Sequence, residues 1–176
     1  MNTFTLIFLA VLALTTLLRV WLAARQMRHV QQNRGNVPAA FVNQISLEQH
    51  QKAADYAVAK SRFSLVQIAL EVAVVLGFTL AGGIDSLARF WSQHVDQSLV
   101  GNVALIGSVI VLTALIELPL DLYRKFKLEQ RFGFNTMAVP QFLKDMLMQL
   151  VLGGILGLPL LFASAYLSKT AALPWC

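Results

Sequence analysis

The chain has 176 residues, of which 57% are hydrophobic and only 13% charged, with a mean hydropathy of +0.63. Soluble domains carry about 25% charged residues, so this composition excludes a water-soluble globular domain and places the chain in a bilayer. The single cysteine, Cys176, excludes an internal disulfide and a thiolate metal cluster, and a net charge of +5 on so apolar a chain points to loop topology and anionic lipid rather than nucleic acid.

The first apolar run, residues 4–22, is long enough to cross a membrane as a helix, which takes about 20 apolar residues. No basic residue precedes it in MNTFT, as a cleaved signal peptide would require. Arg19, Arg25, Arg28 and Arg34 come at its end or beyond, so the run reads as an anchor whose N-terminus crosses the membrane. A polar stretch over 26–43 follows, with NRGNVP as a loop. SLEQ at 46–49 then has the spacing of a capping box, and no helix breaker occurs from Leu47 to Gly77. The pattern predicts one helix that starts in a polar setting and runs straight into a second span, 63–84. HQKAADYAVAK reads as a solvated extension of that helix, with Glu48 and Lys52 four residues apart and placed to pair.

The third span is 99–118. Glu117 and Asp121 follow on one helical face, with Pro119 between them predicting a kink. A polar and aromatic stretch, LEQRFGFNTMAVPQFLKD at 128–145, separates this span from the fourth, 146–168. Within it Gly133 should end a helix, Asn135 or Thr136 should cap the next, and Pro140 falls in that helix's first turn. No alternating pattern with turn signals suggests a β-barrel.

Charge sets the expected orientation. Seven Lys/Arg lie in residues 19–62 and five in 117–145, against Arg89 alone in 85–98 and Lys169 alone in the tail. The positive-inside rule makes the two basic segments cytoplasmic and both termini external. LPWC is not a prenylation box, which needs Cys four residues from the end. Pro174 and Trp175 read as the interfacial start of a further span, so the chain is expected to stop just before a fifth helix.

Little catalytic chemistry is present. His29, His50 and His94 form no H-E-x-x-H, and the expected topology puts His94 on the opposite side from the other two. There is no G-x-S-x-G, P-loop or G-x-G-x-x-G, so Ser108 and Ser164 read as helix-packing residues. The glycine pairs at 82–83 and 153–154 read as close packing or a helix end. The acidic residues inside the spans say more. An ionisable group in hydrocarbon costs several kcal/mol, so Glu71 must face protein or water. It either lines a hydrated chamber, together with Glu117, or hydrogen-bonds between helices. Asp121 reads as an interfacial charge paired with Lys125 or as a further lining group.

Pro119, Tyr123, Phe126, Glu129, the Gly133-Phe134-Asn135 triplet and Phe142-Leu143-Lys144-Asp145 together resemble the N-terminal membrane region of the type I CAAX prenyl proteases, integral-membrane zinc metalloendopeptidases. HQKAADYAVAKSRF at 50–63 is similar to that family's first cytoplasmic segment, and the resemblance covers about residues 45–168. One departure is Ala138, where relatives usually have Thr, which puts the start of the next helix in question. The resemblance implies an all-α integral-membrane fold. Four transmembrane helices would form part of a larger helical barrel around a hydrated chamber, with helical cytoplasmic segments and a single domain over 1–176. It implies that zinc, its H-E-x-x-H helix and its third Glu ligand belong to a C-terminal half this sequence does not contain, so no catalytic or metal residue is assigned here. Glu71 and Glu117 become chamber-lining candidates. Glu129, Phe132, Gly133, Phe134, Asn135 and Asp145 become candidates for the surface that meets the parent's protease domain. The implied partners are the lipid bilayer, that domain, and prenylated or membrane-associated protein substrates, in a bacterial inner membrane. The alternative is a non-catalytic four-helix scaffold or partner-binding protein, distinguished by whether the reading frame continues past Cys176 into an H-E-x-x-H.

Overall fold

The computed structural model describes residues 2–95 and 99–171, and the LPWC end lies outside them. Among the described residues every regular element is helical: α1 (Thr3–Gln32), a 3-10 turn (Ala39–Phe41), α2 (Leu47–Thr79), α3 (Gly83–His94), α4 (Leu99–Tyr123), a π-helical turn (Arg124–Glu129) and α5 (Val139–Ala171). Four stretches are long and apolar enough to cross a membrane: Thr3–Gln32, Leu47–Thr79, Val100–Glu129 and Val139–Ser164. At 1.5 Å per residue α2 is about 50 Å long, well beyond a hydrocarbon core of about 30 Å. Its polar first turns, up to Arg62, therefore lie outside the apolar part of the helix.

Local chemistry explains the boundaries. Before α2 the Ser46 backbone N–H donates to Gln49 Oε1 and the Gln49 N–H donates to Ser46 Oγ, both at 3.2 Å, which closes the expected capping box. Within α1, Thr15 and Thr16 turn their hydroxyls back onto the carbonyls of Val11 and Leu12, at 2.9 and 2.7 Å, and so carry no unsatisfied donor into lipid. Gly133 has φ +75, with Phe134 N donating to Glu129 O at 3.0 Å and Gly133 N to Gln130 O at 3.0 Å. That pair of bonds is a Schellman motif, and it ends the helix where expected.

Several expectations change. The second span does not reach residue 84. Its helix stops at Thr79, Gly82 takes φ +80, and α3 begins at Gly83. A Cβ on Gly83 would lie 2.9 Å from Gly77 O and Phe78 Cα, so the backbone turns too tightly for a side chain there. Gly82-Gly83 is thus a helix end. Gly153 and Gly154 lie inside α5 with open space where a Cβ would stand, so neither of the two expected roles, close packing or a helix end, is seen among the described residues. Residues 85–94, part of the 85–98 segment between the second and third expected spans, form the amphipathic α3, too short and too polar to register as an apolar run. Pro119 lies inside α4 without ending it, and the helix widens to the π form at Arg124. The helix after Gly133 starts at Val139. Ala138 serves as its boundary residue, its carbonyl accepting from Gln141 N and Phe142 N at 3.1 Å. Pro140 falls in the first turn, as expected.

The chain forms two compact units, Met1–Leu76 with Glu117–Asn135, and Gly77–Ile116 with Thr136–Cys176. In the first, Phe63 is buried on α2 and stacks on Tyr123 at 5.7 Å between ring centroids, tying α2 to the end of α4. In the second, Trp91 Nε1 of α3 donates to Ser108 Oγ of α4 at 3.3 Å, and Ser108 donates to Leu105 O at 2.8 Å. Ser108 is therefore a packing residue, as read. Most large apolar side chains on the spans stay exposed, as at Leu156 (67%). A soluble chain would bury such surface; here it is left to lipid tails.

Candidate functional site

The candidate site lies in the first unit, where the polar start of α2 packs against the turn after α4. Tyr56 is the hinge of this packing. Its ring meets Phe132 edge-on at 5.5 Å and Phe134 at 4.6 Å. Lys60 Nζ lies 6.0 Å from the same ring centroid. Aromatic pairs of this kind contribute about 0.5–1.5 kcal/mol beyond area burial. Asn135 does not cap the next helix. Its Nδ2 donates to the Lys125 carbonyl at 2.7 Å, stitching the segment back onto the π-helical turn. The reason is geometric: the next helix begins only at Val139, out of reach of a cap at 135.

Two ion pairs link α1 and its following loop to α2. Arg34 clasps Asp55 with Nε and one terminal nitrogen, at 2.7 and 2.8 Å to its two carboxylate oxygens. Those hydrogen bonds hold the Asp55 carboxyl below the usual carboxylate range, against a weaker upward push from burial. Asp55 stands ahead of Phe63, outside the apolar part of the helix. Arg19 Nη1 donates to Glu71 Oε2 at 2.5 Å, well inside both spans. Arg19 is therefore not loop charge. It pairs with Glu71 across the two helices, and both side chains stay partly exposed, at 52% and 40%. Asp121 pairs with Arg124 at 3.0 Å, three residues on. Lys52 makes no pair with Glu48; its Nζ lies 3.6 Å from where a Cβ on Gly133 would stand.

A cavity of about 920 Å³ opens between these elements. One end is polar, with Arg34, Asp55, Arg62 and Arg131; the other is apolar, with Phe63, Val66 and Leu120. Of the predicted interface residues, Phe132 lines it, Gly133 and Phe134 sit on the turn beside it, and Glu129 supplies the carbonyl that closes the turn. Asp145 belongs to α5 in the second unit. Glu117, on α4, is half-buried, and its carboxylate has no ion-pair partner among the described residues. His50 Nε2 and His29 Nδ1 both approach Asn33, at 3.1 Å from its carbonyl and 3.5 Å from its Nδ2, while His94 Nδ1 meets the Phe90 carbonyl at 2.8 Å. Among the described residues no three His, Cys, Asp or Glu side chains converge to hold a metal ion, so these residues do not fit a zinc site.

Sequence reasoning missed Tyr56, Asp55 and Arg62. The signal was present: Tyr56, Lys60 and Phe63 recur at helical spacing on one face of the supposed solvated extension. Arg19 was also legible as an opposite charge to Glu71 in the neighbouring apolar run.

A family described as the CAAX prenyl protease N-terminal region, with five membrane helices, matches residues 26–176. The chain belongs to that family. Among curated relatives, CAAX prenyl protease 1 of Saccharomyces cerevisiae is 26% identical over 155 residues, covering 81% of this chain and 33% of the relative. The mouse CAAX prenyl protease 1 homolog is 27% identical over 172 residues, covering 93% of this chain and 36% of the relative. The crystal structure of Ste24p from S. mikatae matches with a TM-score of 0.81 at 24% identity, over 93% of this chain and 38% of that one. That likeness carries the fold. The chain spans about a third of the length of these curated relatives. It is thus the N-terminal membrane region of a CAAX prenyl protease family member, an integral multi-pass membrane chain.

Proposed function

We propose that this chain is the membrane module of a zinc endopeptidase. In this reading it builds part of an intramembrane chamber and presents the 128–145 segment to a C-terminal protease domain. The observation that carries the reading is the family match together with the construction of that segment. The Schellman turn at Gly133 holds Phe134 half out of the protein (55% exposed) beside Tyr56, as a partner surface requires. Glu129, Phe132 and Asn135 belong to the same turn, and Asp145, on α5 in the other unit, is a separate candidate for that contact. Glu71 and Glu117 contribute acidic groups to the chamber wall, Glu71 with its charge balanced by Arg19. Zinc would enter through the protease domain, and the parent would hydrolyse peptide bonds of prenylated or membrane-associated proteins. The charge distribution supports cytoplasmic basic segments and an external N-terminus.

The test is reconstitution. The 176-residue chain is co-expressed with a separate polypeptide carrying the H-E-x-x-H half of a CAAX-type protease. The two should co-purify and together cleave a prenylated peptide that neither cleaves alone. Phe134→Asp should abolish co-purification while leaving helicity by circular dichroism unchanged. Absence of any association between the wild-type halves overturns the reading.

A further inference from the structure

The cavity beside Tyr123 has a composition that the protease reading does not use. Its guanidiniums are unequal. Arg34 is committed to Asp55 through two hydrogen bonds. Arg62 and Arg131 also line the cavity, and neither has an ion-pair partner among the described residues; Arg131 only rests against the Phe132 ring at 6.0 Å. Both are exposed. Two uncommitted cations therefore face one space that holds a single, already neutralised carboxylate. Directly below them the wall turns apolar, with Phe63, Val66 and Leu120. Phe63 and Leu120 sit where the apolar runs of α2 and α4 meet their polar ends, so the cavity straddles the level at which a bilayer changes from headgroup to acyl chain.

From this arrangement we propose that the cavity is a binding site for one anionic phospholipid. Arg62 and Arg131 would hold the headgroup phosphate, and Phe63, Val66 and Leu120 would receive the start of an acyl chain. Charge and shape agree on the ligand. A guanidinium fork matches phosphate oxygens in a bidentate way. Basic pockets between transmembrane helices on the positive side are the setting in which anionic headgroups are held. The volume of about 920 Å³ accommodates a headgroup with its glycerol and upper chain, and exceeds what a lone phosphate would fill. A zwitterionic lipid brings a choline cation to the same arginines and should be disfavoured.

The experiment is native mass spectrometry of the 176-residue chain released from nanodiscs of phosphatidylglycerol, of phosphatidylcholine, or of an equal mixture. The wild-type protein should retain one phosphatidylglycerol in preference to phosphatidylcholine by at least about tenfold. Arg62→Gln with Arg131→Gln should remove that preference. Arg62→Lys with Arg131→Lys should keep part of it, which separates charge loss from misfolding. Arg89→Gln, on α3, should leave it unchanged. Equal retention of the two lipids by the wild type overturns the proposal. So does a preference that survives loss of both arginines. Millimolar glycerol 3-phosphate should not displace the lipid; if it does so as well as phosphatidylglycerol itself, the site takes phosphate alone and the lipid assignment fails.

Discussion

Removing one carboxylate from an ion pair inside a membrane strands its partner. Glu71 and Arg19 make that case here, since both lie within stretches able to span. A lone arginine near a helix centre costs about 2.5–3.5 kcal/mol. Glu71→Leu should therefore lower the thermal midpoint in detergent, and Arg19→Leu with Glu71→Leu should recover most of the loss. Strictly additive losses would mean that Glu71 draws its solvation from water rather than from Arg19. Gly133 offers a second test at this scale. A Cβ there meets only the Lys52 ammonium at 3.6 Å, so space is available and the cost is conformational. Gly133→Ala at φ +75 should destabilise by about 1–2 kcal/mol, with Gly133→Asn milder, read from thermal unfolding. The Gly133 turn was legible because only glycine readily tolerates that backbone. The role of Asn135 was not, because its partner, the Lys125 carbonyl, is ten residues back and on the far side of a turn.

At the level of elements, α2 owes its start to the capping box and its course to the absence of breakers. Ser46→Ala should cost about 0.5–2 kcal/mol and raise amide hydrogen exchange over the first turn of α2, with the rest of the helix unaffected. The loop ahead of α2 depends on the Arg34–Asp55 clasp. The Asp55 carboxyl has a folded-state pKa below its unfolded one, so its contribution is present above the ordinary carboxylate value and fades as pH falls through the depressed value. A spin label at residue 42 should thus be restrained at neutral pH and gain mobility in acid. Asp55→Asn should show the acid behaviour at every pH. Both partners are nearly half exposed, so high salt should weaken the clasp as well. The amphipathic α3 escaped a reading that sought only long apolar runs: its twelve residues mix Asp85, Arg89 and His94 with Ile84, Leu87, Phe90 and Trp91.

For the whole molecule, the asymmetry of basic residues gives a topology that can be tested directly. With Cys176 changed to Ser, a cysteine placed at Asn36, in the loop after α1, should resist an impermeant thiol reagent in intact cells, while one at Ser92 on α3 should react. The reverse pattern would invert the proposed orientation. Extensive exposed apolar surface along the helices also means that the chain should aggregate when detergent is withdrawn, since lipid replaces the core that a soluble protein would bury.

Composition and hydropathy by themselves determined that the chain is helical and membrane-embedded, because a bilayer admits few backbone solutions and each leaves a long signature in the sequence. Local rules likewise determined the capping box, the unbroken α2 and the Gly133 turn, each a matter of neighbouring residues. The tertiary structure alone decided the pairings across distant segments: Arg19 with Glu71, Arg34 with Asp55, Tyr56 with Phe132 and Phe134. It also decided that Arg62 and Arg131 share one cavity. Such contacts depend on the relative rotation and depth of helices, which side-chain packing sets and which no local pattern records.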